Sequence, residues 1–152
     1  YPLEMFSGTN VDEITERARF CLQHVNLEEK SYNLLPSEIS GGMQKRVAIA
    51  RAIALQPKYL FCDEPNSGLD PKTALIIDRL IQDITVEFNI TTIINTHDMN
   101  SVMEIGEKII FIEKGEKEWE GSKEDIFHSD NIILNDFVFA SDLFKKVKEN
   151  NQ

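Results

Sequence analysis

Hydrophobic positions recur at helical spacing through much of the chain, and elsewhere they gather in short runs. Ile14, Ala18, Cys21 and Val25 fall three or four apart, the interval that lines up one face of a helix. Asn10 ahead of them, with Glu13 three residues on, reads as a helix cap. This helix is expected to reach about Val25, followed by a polar turn from Asn26 to Asn33. Residues 1–9 read as a loop. From Gly41 to about Ala54 the helical interval returns, with Met43, Val47, Ala50 and Ala54 on one face. Pro57 closes it, because the residue before a proline avoids helical dihedrals. A third helix opens at the cap Asp70, with Pro71 in its first position. Ile77, Ile81, Ile84 and Phe88 line its buried face.

The runs between these helices have a different rhythm. Tyr59-Leu60-Phe61-Cys62 is uninterrupted and apolar, the mark of a parallel strand buried on both faces. Ile90 to Thr96 is a β-branched strand that ends at His97-Asp98. A short helix follows over Met99–Ile105, and Lys108 to Ile112 and Lys117 to Glu120 flank Lys114-Gly115 as a hairpin. From Ser122 the pattern is helical in pieces, ending in a polar, frayed Asn150-Asn151-Gln152. Strands alternating with helices give an α/β class with a mainly parallel sheet. Three parts follow: helical residues 1–57, a partial α/β core over 58–121, and a helical tail over 122–152.

Composition narrows the function. A chain of 152 residues, 41% apolar and 28% charged, is an ordinary soluble globular domain. Its net charge of −10 argues against a nucleic-acid partner, which needs a basic face. It leaves phosphate ligands open, because a helix N-terminus binds them locally. No apolar run approaches the roughly 20 residues that span a bilayer. Cys21 and Cys62 carry no metal-ligand spacing and read as buried, reduced thiols.

Three clusters can carry chemistry. Ser40-Gly41-Gly42 opens the second helix. It is either a plain capped turn or a phosphate cradle, in which glycines admit the ligand and unpaired N–H groups face it. Lys45, Arg46 and Arg51 behind it either take part in such a cradle or are merely a solvated face, the reading taken for Arg46. Asp63-Glu64 ends the first strand, where α/β proteins bind ligands. These are either two solvated acids at a turn or a working pair. In the second case Asp63 holds a magnesium ion through water, and Glu64 orients and deprotonates an attacking water. His97 follows the second strand in the same way, either as a structural residue or as a donor to a terminal phosphate. In Ser67-Gly68-Leu69-Asp70, Gly68 turns the chain and Asp70 caps the next helix. Trp119 on the hairpin reads as packing.

Taken in order, these elements resemble the C-terminal part of an ABC-type ATPase domain. Ile39-Ser40-Gly41-Gly42-Met43 resembles the signature motif, Tyr59 to Asp63 Walker B, and Glu64 the catalytic glutamate. Ser67 to Asp70 resembles the D-loop and His97 the switch histidine. Ile39 stands where leucine is usual, and Met43 where many members have glutamine. No Gly-x-x-x-x-Gly-Lys-Ser/Thr is present, and Tyr1-Pro2-Leu3 resembles the stretch shortly after the Q-loop. The P-loop and Q-loop are therefore expected in about 90 preceding residues, judged by domain size. Ser-Gly-Gly-Met-x-Lys-Arg, then Ala-x-Ala-Arg-Ala and Ser-Gly-Leu-Asp-Pro, is similar to the MCE/Mla-type lipid transport ATPases.

The resemblance implies a P-loop NTPase-like fold in which two ATPase domains sandwich two ATP molecules head to tail. Ser40, Gly41, Gly42, Met43, Ser67 and Asp70 would contact nucleotide, Asp63 would serve Mg2+, and Glu64 and His97 would carry hydrolysis. Partners would be a second copy, transmembrane permease subunits and an MCE-type lipid-binding protein, at the cytoplasmic face of a bacterial inner membrane. The chain alone is expected to be inactive for want of the P-loop lysine. Alternatives are an ABC ATPase of repair or translation, and a docking fragment without activity.

Overall fold

The computed structural model describes Leu3 and residues 10–140. Apart from Leu3, the loop expected over residues 1–9 lies outside the described residues, as does the expected fraying at Asn150. Two compact units divide the described chain after His97.

The first unit is built on three helices and a parallel strand pair. Helix α1 spans Val11–His24. Its cap is reciprocal: Glu13 N donates to Asn10 Oδ1 at 2.9 Å, and Asn10 Nδ2 donates to Glu13 Oε1 at 3.1 Å. Two short 3-10 turns, Glu29–Ser31 and Pro36–Glu38, lead to α2, Gly41–Ile53. The last carbonyls of α2 have a distant partner in Arg17, which donates to Ala54 O at 3.0 Å and Ile53 O at 3.1 Å. Such carbonyls have no intrahelical donor, so Arg17 both caps α2 and ties it to α1. Strand β1 spans Tyr59–Asp63, α3 Pro71–Glu87 and β2 Thr91–Asn95. β1 and β2 pair in parallel, joined through α3 as a β-α-β unit.

The buried face of α2 is wider than the expected one. Ala50 and Ala54 are buried and Met43 and Val47 pack partly against the core, but Gly42, Ile49 and Ile53 are buried as well. The reason is that α2 contacts both α1 and α3, so its apolar surface is shared between two neighbours. Ile53, Ile77, Ile81 and Ile84 are essentially inaccessible. Each contributes roughly 2–3 kcal/mol over an exposed side chain. This one core joins residues of α1 and α2 to Leu60, α3 and Ile90. The helical first part and the first strands thus share a core, whereas sequence pattern drew a boundary at 57.

β1 is not buried on both faces. Leu60, Cys62 and Ile94 face the helices, while Tyr59 at 61% and Phe61 at 72% exposure look outward with Ile93. The helices of the described residues cover one face of the pair, so the strand alternates despite its continuous apolar sequence.

The second unit holds α4 (Met99–Ile105), the hairpin β3 (Ile109–Glu113) and β4 (Glu116–Gly121), α5 (Lys123–His128) and α6 (Ile132–Val138). Lys114 and Gly115 both have positive φ, 49° and 84°, as a two-residue turn matched to strand twist requires. Trp119 lies opposite Phe111 and packs on the core of Ile126, Leu134, Val138 and Phe139, the packing role expected of it. No helix among the described residues is long and apolar enough to cross a membrane.

Candidate active site

The register of β1 and β2 builds the site at their C-terminal ends. Asp63 pairs with Asn95, whose Nδ2 donates to Asp63 Oδ1 at 2.7 Å. The chain then turns sharply. Glu64 has φ 46°, a left-handed conformation that costs a non-glycine residue about 1 kcal/mol. Its backbone is held on both sides. The N–H donates to Asn95 O at 2.9 Å. The carbonyl accepts from Lys45 Nζ at 3.1 Å and from Ser67 N at 3.2 Å. The turn aims the side chain at His97, whose N and Nδ1 donate to Glu64 Oε1 at 3.1 and 2.7 Å. With Nδ1 donating, the ring can also donate from Nε2 only as the cation.

The loop after Glu64 is anchored from below. Asn66 is buried, and its Nδ2 donates to both carboxylate oxygens of the buried Asp78 at 3.2 and 3.3 Å. Neither residue had been singled out from sequence. The signal was there: Asp78 interrupts the apolar face beside Ile77 and Ile81, and an acid at such a position needs a buried partner. Gly68 turns the chain at φ 79°. Asp70 caps α3 by accepting from Thr73 N at 3.1 Å, and hydrogen bonds from Thr73 hold its carboxyl below the ordinary value. Ser67 is exposed on the outside of this loop.

The N-terminus of α2 lies beside it. Ser40 Oγ accepts from Met43 N at 3.3 Å and Gln44 N donates to Ser40 O at 2.9 Å, so the serine caps the helix. The N–H groups of Gly41 and Gly42 are in the first turn, where no intrahelical acceptor exists. The two glycines differ. A Cβ on Gly42 would meet Thr73 Cγ2 at 2.7 Å, so close packing of α2 on α3 explains that glycine. A Cβ on Gly41 would meet only Leu69 Cδ2, at an ordinary 3.5 Å, and the residue is exposed. The approach of Gly41 to Leu69 brings the signature stretch against the 64–70 loop.

The basic face expected behind these glycines needs correction. Arg51 is exposed, but Lys45 and Arg46 are half-buried. Lys45 bonds Glu64 O, and Arg46 donates to Asn26 O at 3.0 Å. Both reach across the fold to carbonyls that sequence spacing cannot pair. Cys62 is half-buried rather than buried, unlike Cys21. Burial pushes both thiols above their ordinary range, with Arg17 partly opposing this at Cys21.

The donor set fits a magnesium nucleotide in part. Among the described residues no group of three or more His, Cys, Asp or Glu could hold a metal. One carboxylate such as Asp63 suits Mg2+, which takes most of its ligands from water and substrate phosphates. The helix N-terminus at Gly41 supplies anion-facing N–H groups.

Known proteins resemble this chain in sequence and in fold. Residues 3–67 match the family profile described as ABC transporter. The methionine import ATP-binding protein MetN of Campylobacter jejuni is 40% identical over 130 residues, 86% of this chain and 38% of that protein. MetN 2 of Bacillus cereus is 41% identical over 127 residues, 84% of this chain and 37% of its own. The chain thus spans under half the length of these relatives. Among solved structures, the ATP-binding cassette MJ0796, described as a dimer in a post-hydrolysis state with ADP and Pi, superposes with a TM-score of 0.66 at 38% identity. The superposition covers 77% of this chain and 50% of that one. A second dimeric structure of this bacterial ABC transporter cassette gives the same TM-score at 39% identity. On this profile match, the stretch over residues 3–67 is that of an ABC transporter ATP-binding domain, and the chain is similar in sequence and fold to these cassettes.

Proposed function

We propose that the whole protein is the ATP-hydrolysing subunit of an ABC transporter, working as a head-to-tail pair with transmembrane permease subunits. The observation that carries this reading is Glu64. It sits at the end of β1 in a left-handed conformation, and two donors from His97 orient its carboxylate. Both bonds fall on Oε1, which leaves Oε2 to take the proton of an attacking water. His97 fixes the base and, as the cation, offers Nε2–H to a phosphate oxygen. Asp63 would hold Mg2+, which neutralises charge developing on the phosphates. The N–H groups of Gly41 and Gly42, with the Ser40 hydroxyl, would receive the terminal phosphate of ATP bound by the partner subunit. Ser67 and Asp70 flank that junction, and Met43 stands one residue behind it.

The dimeric cassettes with ADP and Pi support the paired arrangement, and the peripheral position at a membrane follows from permease partners. For cargo we infer methionine or a related small amino acid, imported. The relatives named for methionine import support this. The MCE/Mla-type lipid reading and its lipid-binding partner leaned on Met43 in particular. That side chain packs against the core of the first unit, which accounts for a methionine there without reference to cargo.

The test is Glu64→Gln in the full-length protein. Turnover should fall by about 10²- to 10⁴-fold while ATP-bound dimers still form. Undiminished hydrolysis removes Glu64 from this role. The 152-residue chain alone should hydrolyse no ATP.

A further inference from the structure

The backbone of Glu64 makes three hydrogen bonds, its N–H donating one and its carbonyl accepting two, and only one of them reaches outside the strand ends and their loop. Asn95 belongs to β2 and Ser67 to the turn itself, but Lys45 belongs to α2. Its half-buried side chain carries an ammonium to within 3.1 Å of Glu64 O. Lys45 stands one turn after Gly41 on the same rigid helix. A displacement of the Ser40–Gly42 end is therefore delivered directly to the backbone of Glu64. A left-handed turn held by a few donors has a local minimum that a lost donor can shift.

We propose that Lys45 is a positioning residue that couples the signature helix to the hydrolytic carboxylate of the same subunit. The inference rests on the ATPase reading above. Under it, Ser40–Gly42 sense the nucleotide held by the partner, and Glu64 acts on the nucleotide of its own subunit. Lys45 then makes hydrolysis at one site respond to occupancy of the other. The ligand sensed is a nucleoside triphosphate. The device is one ammonium–carbonyl bond, without which Glu64 keeps its side chain but loses its register with α2.

The experiment compares wild type, Lys45→Met, Lys45→Arg and Glu64→Gln in the full-length protein. Lys45→Met keeps the aliphatic stem and removes the donor; Lys45→Arg keeps a cationic donor. Lys45→Met should lower kcat about tenfold, with KM for ATP within about twofold. Its Hill coefficient for ATP should drop toward one, and Lys45→Arg should restore both. In the Glu64→Gln background, Lys45→Met should leave ATP-driven dimerisation unchanged, a readout that a merely structural role would spoil. Wild-type kcat and Hill coefficient in Lys45→Met overturn the proposal, as does a loss of dimerisation equal to the loss of rate. If Lys45→Met does not fold, a Lys45→Arg protein lacking cooperativity overturns it as well. Wild type without ATPase activity overturns the underlying reading too, which separates the two failures.

Discussion

Among the turns that place residues in the left-handed region, two do so for different reasons. At the hairpin tip, Lys114 and Gly115 have φ 49° and 84°. The twist of β3 and β4 asks for this, the glycine accepts it at little cost, and the contacts are local. After β1, Glu64 has φ 46°, yet no glycine shares the strain at the next position. Its conformation is held by Asn95, His97 and Lys45, residues distant in sequence. A left-handed residue explained by its own turn is architecture. One that needs three remote partners, an acceptor and two donors, marks a place where side-chain direction matters more than backbone ease.

Substitutions separate these cases, the largest effect first. Glu64→Gly frees the backbone and removes the carboxylate. Turnover of the full-length protein should fall about 10²- to 10⁴-fold while stability holds or rises by up to about 1 kcal/mol. Gly115→Ala is its mirror: nothing lies within 4 Å of the added Cβ. It should cost about 1 kcal/mol from the backbone alone and leave turnover unchanged. If Glu64→Gly melted well below wild type, the strain assigned to Glu64 would be wrong.

The anchoring of the 64–70 loop gives the next effect. Asn66→Ala removes the amide that donates to both oxygens of the buried Asp78 carboxylate and should cost about 1–3 kcal/mol in chemical denaturation. A cost below about 0.5 kcal/mol would mean that water or another donor replaces the amide.

The two glycines of α2 should then part company. Gly42→Ala must push Thr73 away, at about 1–3 kcal/mol. Gly41→Ala meets only an ordinary contact, so its stability should be near wild type while its turnover falls. Equal stability loss in both would erase the distinction.

The smallest effect lies in the hairpin. Hydrogen bonds from Lys117 and Lys108, 2.9 Å each, pull the Glu120 carboxyl from 4.5 to about 2. A lowered folded value stabilises fully above the ordinary value and fades as pH falls from about 4.5 toward 2. A carboxyl-detected NMR titration should find the low midpoint, and Lys117→Met should raise it. Because the pair is exposed, high salt should raise it as well.

Pattern and spacing alone determined most elements. The caps Asn10, Ser40 and Asp70, the hairpin tip and the strand-end position of Asp63, Glu64 and His97 are all local features. They depend on residues within a few positions of one another, so the order of amino acids suffices to read them. What lay beyond the sequence was every relation across the fold. The open face of β1, the packing reason for Gly42, the Asn66–Asp78 pair and the reach of Lys45 and Arg46 to carbonyls 19 and 20 residues away belong here. Periodicity states which face of an element is apolar, but not which element covers it. A long cationic side chain reads as solvated until the tertiary structure supplies the carbonyl it finds.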